Sequence, residues 1–202
     1  MAGTRGPLTG ANTLYGPTGL MLVPTAYTVG HQEFAVSGSF GMHVRGPAIN
    51  YGLIPYVEIG AAFMDRDNAS NKGIANAKIT LIPQNFQKFE IGVGVIDAID
   101  AIERSFFAVG SADFSPPNIH EPITGETPVG FKVHGGFGTG MFKDSFIGGA
   151  ELLFGNKVSL VGEYDGKNFN GAVRFSPNKD MSVQLGFQKT DFFFGLTSRF
   201  RM

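Results

Sequence analysis

Cysteine is absent from this chain, tryptophan is absent, and only 16% of the 202 residues carry a formal charge. The missing cysteines exclude a disulfide framework and any thiolate chemistry. They leave the compartment open and suit a protein that crosses an oxidising periplasm. A soluble domain usually carries roughly a quarter charged residues, so little of this surface is built for water. The net charge of −1 and the pI near 6.4 supply no basic field, which excludes nucleic acid as a partner. No stretch reaches the roughly 18 consecutive apolar residues of a spanning helix; the run from Gly19 through Leu20, Met21, Leu22 and Val23 stops at Pro24. The four histidines show neither HExxH nor any paired spacing, so no metal and no cofactor is expected. The first six residues lack the basic start and apolar core of a secretory signal, and the expectation is that the signal has been removed from this chain.

What the chain has is glycine, at 29 positions, and an alternation of apolar and polar residues that returns throughout. Phe34, Val36, Phe40, Met42 and Val44 alternate with Ser37, Ser39 and His43, and near the end Phe192, Phe194, Leu196 and Phe200 alternate with Thr197, Arg199 and Arg201. A period of two is that of a strand with one apolar face. Between the Gly and Pro marks, strands are expected at 33–44, 48–53, 56–64, 74–82, 88–95, 105–112, 129–137, 146–154, 158–165, 168–176, 182–189 and 192–201. That is about twelve, within a range of roughly 10–14. Tight turns at Asp165-Gly166-Lys167 and around Asn178 make the order a meander. Three connections are longer, 65–73, 96–104 and 114–128, and are expected together outside, with the short turns on the other side. A single helical turn fits 97–103. The fold class is all-β, an antiparallel up-and-down transmembrane β-barrel with a polar lumen, divided into a lead-in or lumen plug over 1–32 and the barrel over 33–202.

The polar face mixes small residues with isolated charges of both signs, which suits an interior better than a solvated wall. Its charged members, Glu58, Lys78, Glu90, Lys132, His134, Glu151, Glu163, Arg174, Arg199 and Arg201, are the candidates to line the lumen. Glycine, alanine and serine between them leave room for these charges to pair. In a barrel of this size they are expected to form a closed interior rather than an open channel. The opposite face would overfill the barrel if it pointed inward. Phe34, Val36, Phe40, Met42, Phe131, Val133, Phe187, Phe194 and Phe200 are therefore candidates to face lipid. Membrane barrels usually carry Trp and Tyr girdles; here twenty phenylalanines stand in for them. The alternative is a soluble all-β protein that buries the same faces between two sheets, as a structural, self-assembling or apolar-ligand-binding protein.

Residues 16–27, Gly-Pro-Thr-Gly-Leu-Met-Leu-Val-Pro-Thr-Ala-Tyr, resemble the mature N-terminus of the YjbH/GfcD-like exopolysaccharide-associated barrels. Further matching pieces are Val57-Glu58-Ile59-Gly60, Asn76-Ala77-Lys78, Gly162-Glu163-Tyr164-Asp165-Gly166 with Phe169-Asn170, and Phe193-Phe194-Gly195-Leu196. The resemblance implies a bacterial outer-membrane protein, a narrow pore or a component of polysaccharide export or envelope biogenesis, with outer-membrane lipid, polysaccharide and envelope proteins as partners. From the residues alone, the glycines and prolines of 16–27 suit either a plug folded against other structure or a poorly paired lead-in. Ser37, Ser39, His43, His134 and Glu163 supply the residue types of a hydrolytic triad without its motif, so no enzyme is expected. Gly135-Gly136-Phe137-Gly138-Thr139-Gly140 lacks the Gly-Lys-Ser/Thr ending of a phosphate loop and reads as a strand end and turn. The Phe-rich last strand resembles the signal read by outer-membrane assembly machinery.

Overall fold

A computed structural model of the chain describes residues 11–41, 44–67, 69–82, 89–116 and 127–201. Two short strands, β1 (Ala11–Asn12) and β2 (Thr18–Gly19), pair with each other. The wall consists of β3 (Glu33–Phe40), β4 (Val44–Ile54), β5 (Val57–Arg66), β6 (Lys72–Ile82), β7 (Phe89–Ile96), β8 (Ser105–Asp113), β9 (Val129–Gly138), β10 (Ser145–Phe154), β11 (Val158–Tyr164), β12 (Phe169–Asn178), β13 (Met181–Gln188) and β14 (Asp191–Arg201). Each wall strand pairs antiparallel with the next, and β14 closes on β3 from Phe194 opposite Phe40 to Arg201 opposite Glu33. Closure leaves no edge strand to recruit another chain. The all-β, antiparallel, up-and-down barrel expected from the alternation is the fold, with twelve strands.

The first hairpin differs from expectation. Instead of one strand over 33–44, β3 stops at Phe40 and Val44 opens β4. Gly46-Pro47 mimics a turn, but the pairing of β4 with β5 passes over those two positions, from Arg45 opposite Asp65 to Ala48 opposite Ala62, so the missing proline N–H is tolerated. Met42 and His43 lie outside the described residues. No helix forms at 97–103; Asp97 closes that turn itself, its carboxylate accepting the N–H groups of Ala101, Ile102 and Glu103 at 2.9, 2.6 and 3.0 Å.

Meander parity decides which loops share an end. The connections after β3, β5, β7, β9, β11 and β13 gather at one end, here called the turn end. Those after β4, β6, β8, β10 and β12 share the opposite end with the start of β3 and the end of β14. The connection after β8 therefore stands opposite those after β5 and β7, and the expected grouping of all three longer connections does not hold. An odd number of strands separates the second from the third in that meander.

Side-chain parity then sorts the wall into two faces. One registered row runs Phe131, Leu152, Leu160, Val173, Leu185, Phe194, Phe40 across neighbouring strands, all pointing outward. Near the turn end Phe63, Phe106, Phe137, Phe146, Phe169 and Phe192 stand exposed around the circumference. Ala35, Ser37, Asn50, Glu58, Lys78 and Thr197 point inward and are buried. Adjacent residues can thus have opposite environments: Phe193 is 1% exposed and Phe192 56%. Phe193→Ala is expected to cost about 3–5 kcal/mol and Phe192→Ala about 1 kcal/mol or less. Denaturant midpoints followed by circular dichroism in detergent micelles check the pair; equal losses would contradict the assigned parity.

Candidate functional site

Eight strands enclose a lumen that side chains alone can fill, and sixteen or more leave an aqueous channel. Twelve strands lie between, and the space left over is occupied by the chain itself. Residues 11–30 lie within the barrel, with Leu20, Met21, Val23 and Ala26 fully buried. The local sequence folds this segment into nested turns. Thr13 N–H donates to Pro17 O at 2.8 Å, Leu14 N–H to Met21 O at 2.8 Å, Leu20 N–H to Val23 O at 2.9 Å and Thr25 N–H to Thr18 O at 3.2 Å. Gly16, at φ +112°, holds a conformation that side chains rarely adopt. The apolar side chains Leu14, Leu20, Met21, Leu22 and Val23 pack with Met64, Ile96, Phe107, Phe142, Ile147 and Phe193 of the wall and its turns.

Turns leave main-chain groups unpaired, and in a dry interior each needs a partner. The lumen side chains supply them. Glu163 on β11 accepts three consecutive N–H groups, from Met21 at 2.9 Å, Leu22 at 3.0 Å and Val23 at 3.2 Å. Consecutive N–H groups converging on one anion form a nest, here closed around a side-chain carboxylate. Arg174 on β12 grips the other side of the same turn, donating to Gly19 O and Leu20 O at 3.2 Å each. Glu58 on β5 accepts from Thr18 N at 2.9 Å, Thr18 Oγ1 at 2.5 Å and Val29 N at 2.8 Å. Its cross-strand partner Lys78 lies 3.6 Å from that carboxylate and donates to Thr18 O at 2.8 Å. Asn50 donates to Gly16 O, Asn76 to Tyr15 O at 2.8 Å, and Thr80 to Ala26 O at 2.6 Å.

A second circuit joins residues of the segment to the wall charges. Ala26 N–H donates to Ser111 Oγ at 2.9 Å, Ser111 Oγ lies 2.8 Å from His134 Nδ1, and His134 Nε2 lies 3.2 Å from Glu151. Glu151 also takes a 2.8 Å bond from Arg174. Serine, histidine and acid do converge, but Ser111 Oγ is occupied by Ala26 N–H and the group is buried. Its arrangement serves to hold residues 19–26. Tyr27 packs edge-on to His134 at 5.7 Å, and Lys132, 3.5 Å from Asp113, stands 5.3 Å over the Tyr27 ring.

Of the ten charged or titratable residues assigned to the lumen by sequence, Glu58, Lys78, Glu90, Lys132, His134, Glu151, Glu163 and Arg174 are buried on the inward face. Arg199 is half-buried, 4.0 Å from Glu33. Arg201 is exposed: it has lumen parity but sits at the rim, opposite Glu33 at the end of β14, and does not line the interior. Among the residues assigned to lipid, Val36, Phe40, Phe131, Phe187 and Phe200 are exposed on the outer face. Phe34, Val133 and Phe194 share that face half-covered by neighbours, as where Phe34 stacks on Tyr51 at 4.5 Å. Ser37 holds Asn12 at 3.0 Å.

Sequence reasoning missed Asn50, Thr80 and Ser111 as anchors of the segment, and the purpose of the small wall residues. A Cβ on Gly92 would stand 2.8 Å from Ala26 Cα, and one on Gly52 would collide with the carbonyl of Gly30. These glycines admit the main chain of residues 26–30, not paired charges. At the turn end a cavity of about 210 Å³ remains between Tyr15, Leu22, Lys143, Asp165 and Lys167. Burial and the carboxylates of Asp165, Glu163 and Glu103 push the Tyr15 phenol up to about 12, so it is neutral at any physiological pH. Among the described residues no group of three or more His, Asp or Glu could hold a metal ion.

Glu163→Ala leaves the N–H groups of residues 21–23 without their acceptor and is expected to lower stability by about 3–5 kcal/mol. Glu163→Gln, which keeps one carbonyl acceptor, is expected to lose less than half as much. Urea midpoints in detergent check the order, and a silent Glu163→Ala would contradict the anchoring role.

No protein-family model matches this chain, and no curated protein matches it.

Proposed function

We propose that this protein is a non-enzymatic barrel of a bacterial outer membrane, whose lumen is kept closed by its own N-terminal segment and opens only when that segment withdraws. The observation that carries this reading is the division of the wall. An apolar outer face, with phenylalanine crowding the turn end, surrounds an inner face whose charges grip residues 11–30. A band of outward apolar residues bounded by aromatics is what a lipid bilayer requires of a barrel. A soluble barrel would leave Phe169 at 80% and Phe146 at 76% exposure in water, beyond what isolated surface apolar groups explain. Residues 1–32 act on this reading as the gate and residues 33–202 as the pore wall. The likeness of residues 16–27 to exopolysaccharide-associated barrels supports polysaccharide export or envelope biogenesis as the setting.

Three kinds of measurement test the proposal. The protein is expected to need detergent, to partition with membranes and to migrate faster on gels before heating than after; a monodisperse monomer in plain buffer would overturn the membrane reading. In planar bilayers the full chain is expected to be nearly silent and a chain lacking residues 3–27 to conduct steadily, while equal conductance would remove the gate. Val173→Lys, in the middle of the outward row, is expected to cost about 2–4 kcal/mol in lipid, read as the shift in urea midpoint in vesicles.

A further inference from the structure

We infer that the lumen is a peptide-binding site, built to take an uncharged, turn-forming polypeptide segment of a partner in place of residues 11–30. The inference rests on the gate proposed above and names the ligand class that the vacated lumen would receive.

The grip on the segment is directed at main-chain atoms. Glu163 and Glu58 accept peptide N–H groups, and Arg174 and Lys78 donate to peptide C=O groups. Asn76 and Thr80 donate to further carbonyls. Acceptors and donors stand on facing sides of one turn, Glu163 against the N–H groups of residues 21–23 and Arg174 against the carbonyls of residues 19 and 20. A polypeptide turn presents N–H groups on one side and C=O groups on the other, three consecutive donors included. A glycan offers hydroxyls, each both donor and acceptor, and gains nothing from such separation.

Two further observations fit a polypeptide. Gly92 and Gly52 remove the Cβ atoms that would meet Ala26 Cα and the Gly30 carbonyl, so the wall is relieved where a peptide backbone passes. The described segment joins the wall at one end only, through the turn in which Glu33 N–H donates to Gly30 O at 3.0 Å and Gln32 N–H to Gly52 O at 2.9 Å. His31 in that turn is exposed, so a protease site inserted beside it would stand at the surface.

The test uses the whole chain with a protease site inserted between Gly30 and His31, folded in detergent, cut, and washed in mild urea. A fluorescent synthetic peptide of residues 11–30 is then added and its anisotropy followed. Saturable binding is expected, displaced by unlabelled peptide but not by dextran or by a scrambled peptide. Glu163→Gln in the barrel is expected to weaken binding tenfold or more. A Gly19→Val peptide is expected to lose as much, since a Cβ there stands 2.9 Å from Pro24 Cα. Absence of binding to a barrel whose circular dichroism is intact would overturn the inference, and displacement by dextran would overturn it in favour of a glycan. Loss of the barrel whenever the cut segment leaves would also overturn it, by making residues 11–30 core rather than exchangeable ligand. Because the assay runs in detergent, failure here is separable from failure of the conductance or partitioning tests, which concern the gate and the membrane.

Discussion

A carboxylate sealed away from water must find donors, and Glu163 finds three of its own in the successive N–H groups of Met21, Leu22 and Val23. The need is mutual, since a turn folded inside a barrel has orphan N–H groups that the wall must satisfy. The interior is organised around this exchange. Residues 11–30 cannot be buried without the wall charges, and Glu163 cannot be buried cheaply without residues 11–30. Arg174 extends the exchange to the carbonyl side of the same turn, and through Glu151, His134 and Ser111 the circuit returns to Ala26.

Strand number sets the scale on which this matters. A barrel of eight strands could have been filled by the side chains of its wall, and a much wider one would have been left wet. At twelve strands the interior takes one folded segment, with a small cavity at the turn end. The inward glycines follow from that fit. Gly52 and Gly92 stand where main chain presses on main chain, so the lumen is shaped to a backbone as well as charged for one.

The wall was legible in the sequence because a strand writes its faces directly as alternation. Val57 to Phe63 and Phe169 to Phe175 declare which side is apolar without reference to any other part of the chain. The lumen charges were legible for the same reason, save Arg201, whose parity is that of the interior but whose place at the end of β14 leaves it exposed at the rim. The partners of those charges were not legible. Glu163 and Leu22 are 141 positions apart, and nothing in either neighbourhood names the other. The small wall residues were visible but ambiguous, because room for a charge pair and room for a backbone look alike in sequence. The turn after β3 was obscured by Gly46-Pro47, a turn signal that the barrel absorbs within a strand.

The buried charges differ in what they keep if the segment leaves. Glu58 retains Lys78, Asp113 retains Lys132, and Glu151 retains Arg174 and His134. Each pair is internal to the wall and survives an empty lumen. Glu163 makes no ion pair among the described residues; without the segment it keeps only the amide of Asn170, at 3.0 Å. A carboxylate left so nearly alone in a dry interior costs several kcal/mol, whereas water entering the lumen would solvate it. A dry empty lumen is therefore disfavoured. Glu163 sets that penalty, because it alone of these acids relies on the segment rather than on the wall for its partners.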